Sequence, residues 1–296
     1  MDLPHRWNTI ALAKLLQFPT QSRVPMFIVR KFSGLTQAFL YALVFLTRLP
    51  VAGLLHRVDK ETVERSIYFY PLIGVVIGLL LSAAVYLLDP LGTHLQAAIL
   101  LGFWIILTGA LHLDGLADCA DAYFAGHQCA DPEDRRIRTL TVMHDPHCGS
   151  VAVVALVVFL LIKFAAIATL LGQTLPAAKG VWIYLPLMLS PMLARAAALS
   201  LMSISEYARM EGFVPPSGSG RRWELLPLVV IVSVAGLIVT PVPIAIGMAC
   251  VLPSLILFWR HLWEKTIGGY TGDCLGGLIE IIELAVLILW VALITI

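Results

Sequence analysis

The chain carries seven apolar runs that are long enough, within a few residues, to cross a lipid bilayer as helices. About 20 apolar residues span the hydrocarbon core, and the runs cover residues 69–89, 94–112, 149–172, 179–201, 225–240, 243–260 and 276–296. Only 13% of all residues are charged, about half the share that is usual in a soluble domain. Such a chain cannot cover a water-facing surface, which excludes an ordinary soluble enzyme. The sequence therefore predicts an all-α, polytopic membrane protein.

Two further segments lie before the first of these seven runs. An eighth apolar run, Leu35–Leu46, is too short for an easy crossing and has basic residues on both sides, so we predict an interfacial or re-entrant helix there. Residues 1–33 lack the apolar core of a signal peptide and are predicted to be an N-terminal cytoplasmic extension. Residues 34–296 are predicted to form one membrane domain. The net charge of +1 gives no polybasic character that would indicate nucleic-acid binding.

The basic residues of the loops predict how the chain is oriented, because cytoplasmic loops carry an excess of Lys and Arg. They collect before the first run and after the second, fourth and sixth runs: Arg48, Arg57, Lys60, Arg65, Arg135, Arg136, Arg138, Arg209, Arg221, Arg222, Arg260 and Lys265. The opposite loops contain only Lys179. We therefore expect a multi-pass protein of the cell inner membrane, with a cytoplasmic N-terminus.

Carboxylates collect on the same predicted face. Separate stretches deliver them there: Asp114, Asp118, Asp121, Asp145, Glu206, Asp273, Glu280 and Glu283. Random placement would scatter acidic residues over both faces of the membrane. Their concentration on the cytoplasmic side predicts an active site there.

Three of these carboxylates share one face of a helix. Asp114, Asp118 and Asp121 are spaced i, i+4, i+7, which places them within roughly 60° of one another at 3.6 residues per turn. Carboxylates so close repel one another unless a cation lies among them, and hard oxygen ligands suit Mg²⁺. The alternative is a solvated acidic helix end. The shared face and the acidic motifs opposite favour a Mg²⁺ site.

The remaining polar candidates each allow two interpretations. Asp145 precedes Pro146 and either caps the third helix or binds the metal. His144 is a candidate for proton transfer or phosphate binding, or is structural. Arg195 lies inside the fourth run, where an intramembrane Arg either binds phosphate or pairs with an acidic neighbour.

Glycine pairs bracket the last acidic motif. Gly268-Gly269 and Gly276-Gly277 flank Asp273, so that backbone can approach a ligand closely, or these glycines serve loop formation and helix packing. Asp273 and Glu280 are spaced i, i+7 and project from one face of a helix that begins near Asp273. We expect this seventh helix to be a neighbour of the second, closing one acidic pocket with Asp145. Glu280 alternatively serves the helix dipole.

Four stretches of the chain carry a family resemblance. They are Phe45-Leu46-Thr47-Arg48-Leu49-Pro50, Tyr70-Pro71-Leu72-Ile73-Gly74, His112-Leu113-Asp114-Gly115-Leu116-Ala117-Asp118 with Asp121, and Gly269-Tyr270-Thr271-Gly272-Asp273 with Gly276. With Met143, Asp145 and Gly149 between them, they resemble the cobalamin synthase family, the adenosylcobinamide-GDP ribazoletransferases, from about residue 35 to the C-terminus. His144 and His147 stand where that family tends to have Lys and Arg.

The resemblance implies an enzyme that joins adenosylcobinamide-GDP to α-ribazole, or to its 5′-phosphate, and releases GMP. Mg²⁺ is the expected cofactor, and the lipid bilayer is an expected partner. The resemblance leaves open a homo-oligomer or an association with other cobalamin-assembly enzymes. The expected metal ligands are Asp114, Asp118, Asp121, Asp145 and Asp273. The expected catalytic residues are Asp114, Asp118, His144 and Asp145. The expected substrate-binding residues are Arg195, Gly269, Thr271, Gly272, Gly276 and Glu280.

Two other classes of protein use similar residues. Intramembrane prenyltransferases and CDP-alcohol phosphotransferases also bind a diphosphate through Asp-rich helices and Mg²⁺, but their aspartate spacings differ from i, i+4, i+7. A transporter would place polar residues along a pathway through its spans. The acidic residues of this chain instead collect at one face, which disfavours transport.

Overall fold

The computed structural model describes residues 34–56, 58–172, 179–208 and 222–294. The predicted extension over residues 1–33 lies outside these ranges. The α-helices of the described ranges are α1 (Gly34–Leu46), α2 (Lys60–Ser66), α3 (Tyr70–Leu88), α4 (Thr93–Thr108), α5 (Leu111–His127), α6 (Pro132–Val142), α7 (Ser150–Leu171), α8 (Lys179–Ile204), α9 (Leu226–Ile238), α10 (Val242–Ile267) and α11 (Gly272–Ile294). Apart from one parallel bridge between Tyr207 and Tyr270, these ranges contain no sheet pairing, so the all-α prediction is confirmed.

By length and composition, five helical segments can cross a membrane: Lys60–Leu88, Ser150–Leu171, Trp182–Ile204, Val242–Ile267 and Gly272–Leu293. The bent pair of α4 and α5 is a sixth candidate. The predicted short helix is present as α1, with 13 residues. The predicted span over 225–240 forms only the 13-residue α9, which is shorter than a bilayer crossing requires. The structure thus has five or six candidate spans within its described residues, where the apolar runs predict seven.

The second predicted span is not a straight helix. It ends at Thr108, and the axis of α5 turns by 89° from that of α4. Gly109 and Ala110 make the turn with φ of 64° and 57°, a left-handed conformation that a residue with a Cβ adopts only rarely. At Gly109 a Cβ would also lie 2.8 Å from Cγ of Arg48. Asp114, Asp118 and Asp121 therefore lie on a separate helix and not at the end of a straight span.

Close backbone contacts hold the centre of the bundle together. Gly74 and Gly78 on α3 face α8, and a Cβ on them would lie 2.6 Å from Cα of Met192 and 2.5 Å from Cα of Met188. Small residues at such crossings allow helices in lipid to approach closely. α11 packs against α5, α7, α8 and α10. This central place brings the first turn of α11 to the acidic residues of α5.

Candidate active site

The first turn of α11 lies directly on α5. A Cβ on Gly115 would lie 2.8 Å from the carbonyl oxygen of Asp273 and 3.1 Å from its Cα. One turn further along α11, a Cβ on Gly276 would lie 3.3 Å from Cα and from the carbonyl oxygen of His112. The predicted neighbourhood of the two acidic motifs is confirmed, with α5 in the place of a straight second span.

This contact places Asp114 and Asp273 on adjoining turns of the two helices. The Asp114 side chain is exposed, that of Asp273 is partly buried, and the two like charges interact. Asp118 lies one turn along α5 from Asp114 and is also partly buried. In the loop opposite, partial desolvation raises the pKa of the Cys148 thiol, and the charges of Asp121, Asp118 and Asp114 raise it further. The Cys148 thiol therefore lies within the field of all three aspartates of α5.

Asp121, the third aspartate of α5, has a structural task. Its Oδ2 accepts a hydrogen bond from the backbone N–H of Gly149 at 2.6 Å, and its Oδ1 accepts one from that of Ala152 at 2.8 Å. These N–H groups belong to the start of α7, where they have no partner within the helix. Asp121 therefore caps α7 and fixes that helix on α5.

Asp145 is held within its own loop, between α6 and α7. Its Oδ1 lies 2.5 Å from Nδ1 of His147 and accepts a hydrogen bond from the backbone N–H of His147 at 3.0 Å. These two hydrogen bonds lower the pKa of the Asp145 carboxyl. The ring of His144 is exposed in the same loop. The sequence allows two roles for Asp145, capping α7 or binding metal. The contact with His147 is neither of these.

The glycine motif forms a short loop that is fastened to the end of α8. The backbone N–H of Tyr270 donates to the carbonyl of Glu206 at 2.9 Å, and that of Ala208 donates to the carbonyl of Tyr270 at 2.9 Å. A Cβ on Gly269 would collide with the carbonyl oxygen of Glu206, so this glycine is required for the bridge itself. The hydroxyl of the buried Thr271 accepts from the backbone N–H of Cys274 at 3.3 Å and so caps α11.

The remaining glycines of the motif differ in what surrounds them. Gly276 lies in the contact between α11 and α5, which agrees with the helix-packing interpretation. Gly272 is exposed, and a Cβ on it would have no neighbouring atom within 4 Å. Gly272 therefore leaves room for a ligand beside the first turn of α11.

Arg195 and Glu280 lie deeper in the bundle, in a buried cluster of ion pairs. Lys163 of α7 donates to Oε2 of Glu280 at 2.8 Å and to Oε2 of Glu283 at 2.7 Å. Arg195 of α8 donates through Nη1 to Oε1 of Glu283 and, at 3.1 Å, to the carbonyl of Pro191. Its Nη2 lies 3.5 Å from Nδ1 of His112. Of the two interpretations of Arg195, the structure shows the pair with an acidic neighbour.

Comparison with known proteins assigns the family. Residues 38–291 match the model of the cobalamin-5-phosphate synthase family. The chain belongs to this family. It is 40% identical over 258 residues to a protein of Pseudomonas putida strain KT2440 and 42% identical over 257 residues to one of Pseudomonas aeruginosa strain PAO1. These alignments cover 84% and 85% of this chain and 96% of each relative. Both relatives are named adenosylcobinamide-GDP ribazoletransferase.

As a member of the cobalamin-5-phosphate synthase family, the chain is a transferase of cobalamin biosynthesis. The resemblance deduced from its motifs is thus confirmed. Family membership decides against the prenyltransferase, the CDP-alcohol phosphotransferase and the transporter. No solved structure matches the chain at a significant level.

The carboxylates of this site suit Mg²⁺ in their chemistry, but fewer of them lie together than the sequence predicts. Across the described ranges, no group of three or more His, Cys, Asp or Glu side chains is arranged to hold a metal ion, so the five expected ligands do not converge on one point. Mg²⁺ usually keeps several waters and is bound through one or two carboxylates together with substrate phosphates. Asp114 and Asp273 provide such a pair, with like charges that a cation would neutralise. The donor chemistry therefore fits the ion, with fewer protein ligands than the sequence predicts.

The sequence assigned no role to Lys163 and counted Glu283 only among the carboxylates of the cytoplasmic face. Lys163 and Glu283 are 2% and 0% exposed, and both lie in helices that can span the membrane. Charged residues in such segments usually pair with one another. Apart from three charged residues at the ends of runs (Asp89, Lys179 and Arg260), the apolar runs contain Lys163 and Arg195 as cations and Glu280 and Glu283 as anions. This equality of charges was the available signal. The sequence does not show which helices bring the charges together.

Proposed function

We propose that the chain transfers the adenosylcobinamide-phosphate group from adenosylcobinamide-GDP to α-ribazole or its 5′-phosphate. The products are adenosylcobalamin, or its 5′-phosphate, and GMP. The names of the Pseudomonas relatives support these substrates. The observation that carries the proposal is the contact of Gly115 with the backbone of Asp273, because it places two carboxylates, Asp114 and Asp273, where α5 and α11 meet.

The reaction exchanges one bond to phosphorus for another. A ribose hydroxyl of α-ribazole attacks the phosphorus that carries the cobinamide group, a new O–P bond forms, and the P–O bond to GMP breaks. The hydroxyl proton passes to a side chain at the mouth of the site, either the Asp114 carboxylate or the His144 ring, both of which are exposed. The open backbone at Gly272 allows the diphosphate to approach the first turn of α11, where helix N–H groups favour anions.

We propose Mg²⁺ as the cofactor, held by Asp114 and Asp273 with Asp118 one turn away. When bound, the ion neutralises charge on the diphosphate and on the leaving GMP. The chain's own part is to place two carboxylates at the point where α5 and α11 meet. Asp121 and Asp145 act here through the α7 cap and through His147, and not as direct ligands.

The activity is tested with the purified full-length protein in detergent. Adenosylcobinamide-GDP and α-ribazole are supplied, and GMP release is followed with Mg²⁺ and after its removal by EDTA. We expect release with Mg²⁺ and at least a hundredfold less without it. Binding is measured independently by electron paramagnetic resonance of Mn²⁺, whose signal broadens on the protein. GMP release that is unaffected by EDTA contradicts the cofactor, and no release under any condition contradicts the reaction.

We propose the inner membrane as the location, with the acidic end of the bundle in the cytoplasm. Cys148 is exposed in the loop beside the site, and Cys129 is partly buried nearby. A membrane-impermeant maleimide applied to intact cells is expected to label neither, and a permeant maleimide is expected to label Cys148. Cys274 is buried and cannot report the topology. Labelling of Cys148 from outside intact cells would reverse the orientation.

A further inference from the structure

The buried ion-pair cluster is balanced in charge and joins four helices. It consists of Lys163 on α7, Arg195 on α8, and Glu280 and Glu283 on α11, with His112 of α5 beside Arg195. Two cations thus face two anions. Glu283 is central because it accepts from both cations, and its backbone carbonyl also accepts from the hydroxyl of Ser190 at 3.1 Å. A buried charge that loses its partner is strongly destabilising, so each charge of this cluster depends on the opposite charge beside it.

The cluster is connected to the acidic site through short contacts. Glu283 holds Arg195, whose Nη2 lies beside Nδ1 of His112. His112 is two residues before Asp114 on α5, and its backbone lies against Gly276 of α11. A shift of α11 relative to α5 would therefore change the cluster and the distance between Asp114 and Asp273 together.

We propose that this cluster is the positioning device of the active site: through charge balance it sets α11 against α5, and Glu283 is its central positioning residue. The inference rests on the proposed function in one respect, since Asp114 and Asp273 are taken as the reacting site. It assigns to Arg195 and Glu280 a task different from the substrate binding that the sequence predicts. Neither residue then touches substrate.

Charge balance gives the proposal a distinctive prediction. Glu283→Gln leaves Arg195 without its anion, an uncompensated buried charge that is strongly unfavourable. The double variant Arg195→Met/Glu283→Gln removes one cation and one anion and leaves the pair of Lys163 with Glu280 intact. Lys163→Met/Glu280→Gln likewise leaves the pair of Arg195 with Glu283. Replacing a buried ion pair by neutral side chains of similar size is often tolerated.

The position of α11 on α5 can be measured without any substrate. The thiols of Cys119 on α5 and Cys274 on α11 influence each other, Cys119 Sγ lies 3.5 Å from the position of a Cβ on Gly277 of α11, and both cysteine side chains are buried. Iodine oxidises two adjacent thiols to a disulfide with release of two protons and two iodide ions. In a background with Cys129, Cys148 and Cys250 replaced by Ser, the yield of the disulfide-linked peptide is determined by mass spectrometry. The kcat and KM for GMP release are measured on the same proteins before oxidation.

For Glu283→Gln we expect a disulfide yield at least threefold lower and a kcat at least tenfold lower, with KM within twofold of the parent. Arg195→Met/Glu283→Gln should return the yield to within twofold of the parent, Lys163→Met/Glu280→Gln should keep it there, and both should have a kcat at least fivefold above that of Glu283→Gln. The matched control is Glu64→Gln, which removes the carboxylate of an exposed pair with Lys60 and should change nothing. If Glu283→Gln does not accumulate in the membrane, the amount of protein in the membrane is compared instead. The Arg195→Met/Glu283→Gln variant should then accumulate to within twofold of the parent.

Two results would overturn the proposal. One is a Glu283→Gln variant with the parent's disulfide yield and kcat. The other is an Arg195→Met/Glu283→Gln variant as defective as Glu283→Gln, which would mean that Arg195 acts on substrate. If the disulfide yields behave as expected and no variant, nor the parent, releases GMP, only the proposed function fails.

Discussion

Asp114→Asn and Asp273→Asn are each expected to lower kcat by about a hundredfold or more, the usual effect of removing one group that stabilises charge in a transition state. Both replacements keep the size of the side chain and remove its negative charge. The two residues lie on different helices, and the contact between Gly115 and Asp273 brings them close. Because they serve the same ion, the double variant should lose little more than either single variant.

Asp121→Asn is the informative comparison, since it changes the same residue type on the same helix. An amide has one accepting oxygen for the two N–H groups of Gly149 and Ala152 that the carboxylate now satisfies. We expect a loss of about 1 kcal/mol in stability from the donor left without a partner, and a kcat reduced less than tenfold. The Asp121→Asn variant should still broaden the resonance signal of Mn²⁺, because it still binds the ion. The Asp114→Asn and Asp273→Asn variants should not broaden it.

The measurements are the rate of GMP release at saturating Mg²⁺ and the thermal unfolding temperature of the purified proteins. The control is Asp131→Asn, which changes the cap of α6 and should leave turnover unaffected, because Asn caps a helix about as well as Asp. Turnover within twofold of the parent in both Asp114→Asn and Asp273→Asn would refute the paired carboxylate site.

Much of this site could be predicted from the sequence because its signals are local. The i, i+4, i+7 spacing of Asp114, Asp118 and Asp121 predicts a shared helical face, and the three do lie on the single helix α5. The glycine motif predicts a helix that begins near Asp273, and α11 begins at Gly272. Local spacing is sufficient in both cases because the residues belong to one element.

The bend before α5 could not be predicted in the same way. The apolar run over 94–112 contains no charged residue and no proline, and the pair Thr108-Gly109 at the break also occurs within unbroken helices in membranes. The turn depends on Ala110, whose φ of 57° only the tertiary structure can enforce. The packing of Arg48 against Gly109 is a contact between distant parts of the chain.

Side-chain partners on different helices were equally beyond the sequence. Asp121 finds its partners 28 and 31 residues away, and Lys163 finds Glu280 at a separation of 117 residues. In each case the residue type allows several roles, and the packing of α5, α7 and α11 selects one of them. The charges of the buried cluster could be counted from the sequence, but their pairing required the fold.

Gly115→Ala is expected to lower kcat at least tenfold while the protein still inserts in the membrane. The added Cβ would lie 2.8 Å from the carbonyl oxygen and 3.1 Å from Cα of Asp273. These are backbone atoms, which cannot turn aside as a flexible side chain does, so the first turn of α11 must move away from α5. The distance between Asp273 and Asp114 then increases. We expect less Mn²⁺ to bind, so that the broadening of its resonance signal decreases together with kcat.

Two other glycines provide a graded comparison. A Cβ on Gly276 would lie 3.3 Å from the backbone of His112, a tight contact that a small shift relieves, whereas a Cβ on Gly102 of α4 would meet nothing within 4 Å. The expected order of kcat is therefore Gly102→Ala, equal to the parent, then Gly276→Ala, then Gly115→Ala. Alanine favours the helix by up to about 1 kcal/mol at each position, so Gly102→Ala should unfold at a higher temperature. A Gly115→Ala variant that turns over as fast as Gly102→Ala would show that the approach of α11 to α5 does not set the active site. If KM rises in Gly276→Ala and in neither of the other two variants, Gly276 contacts substrate, as the sequence predicts.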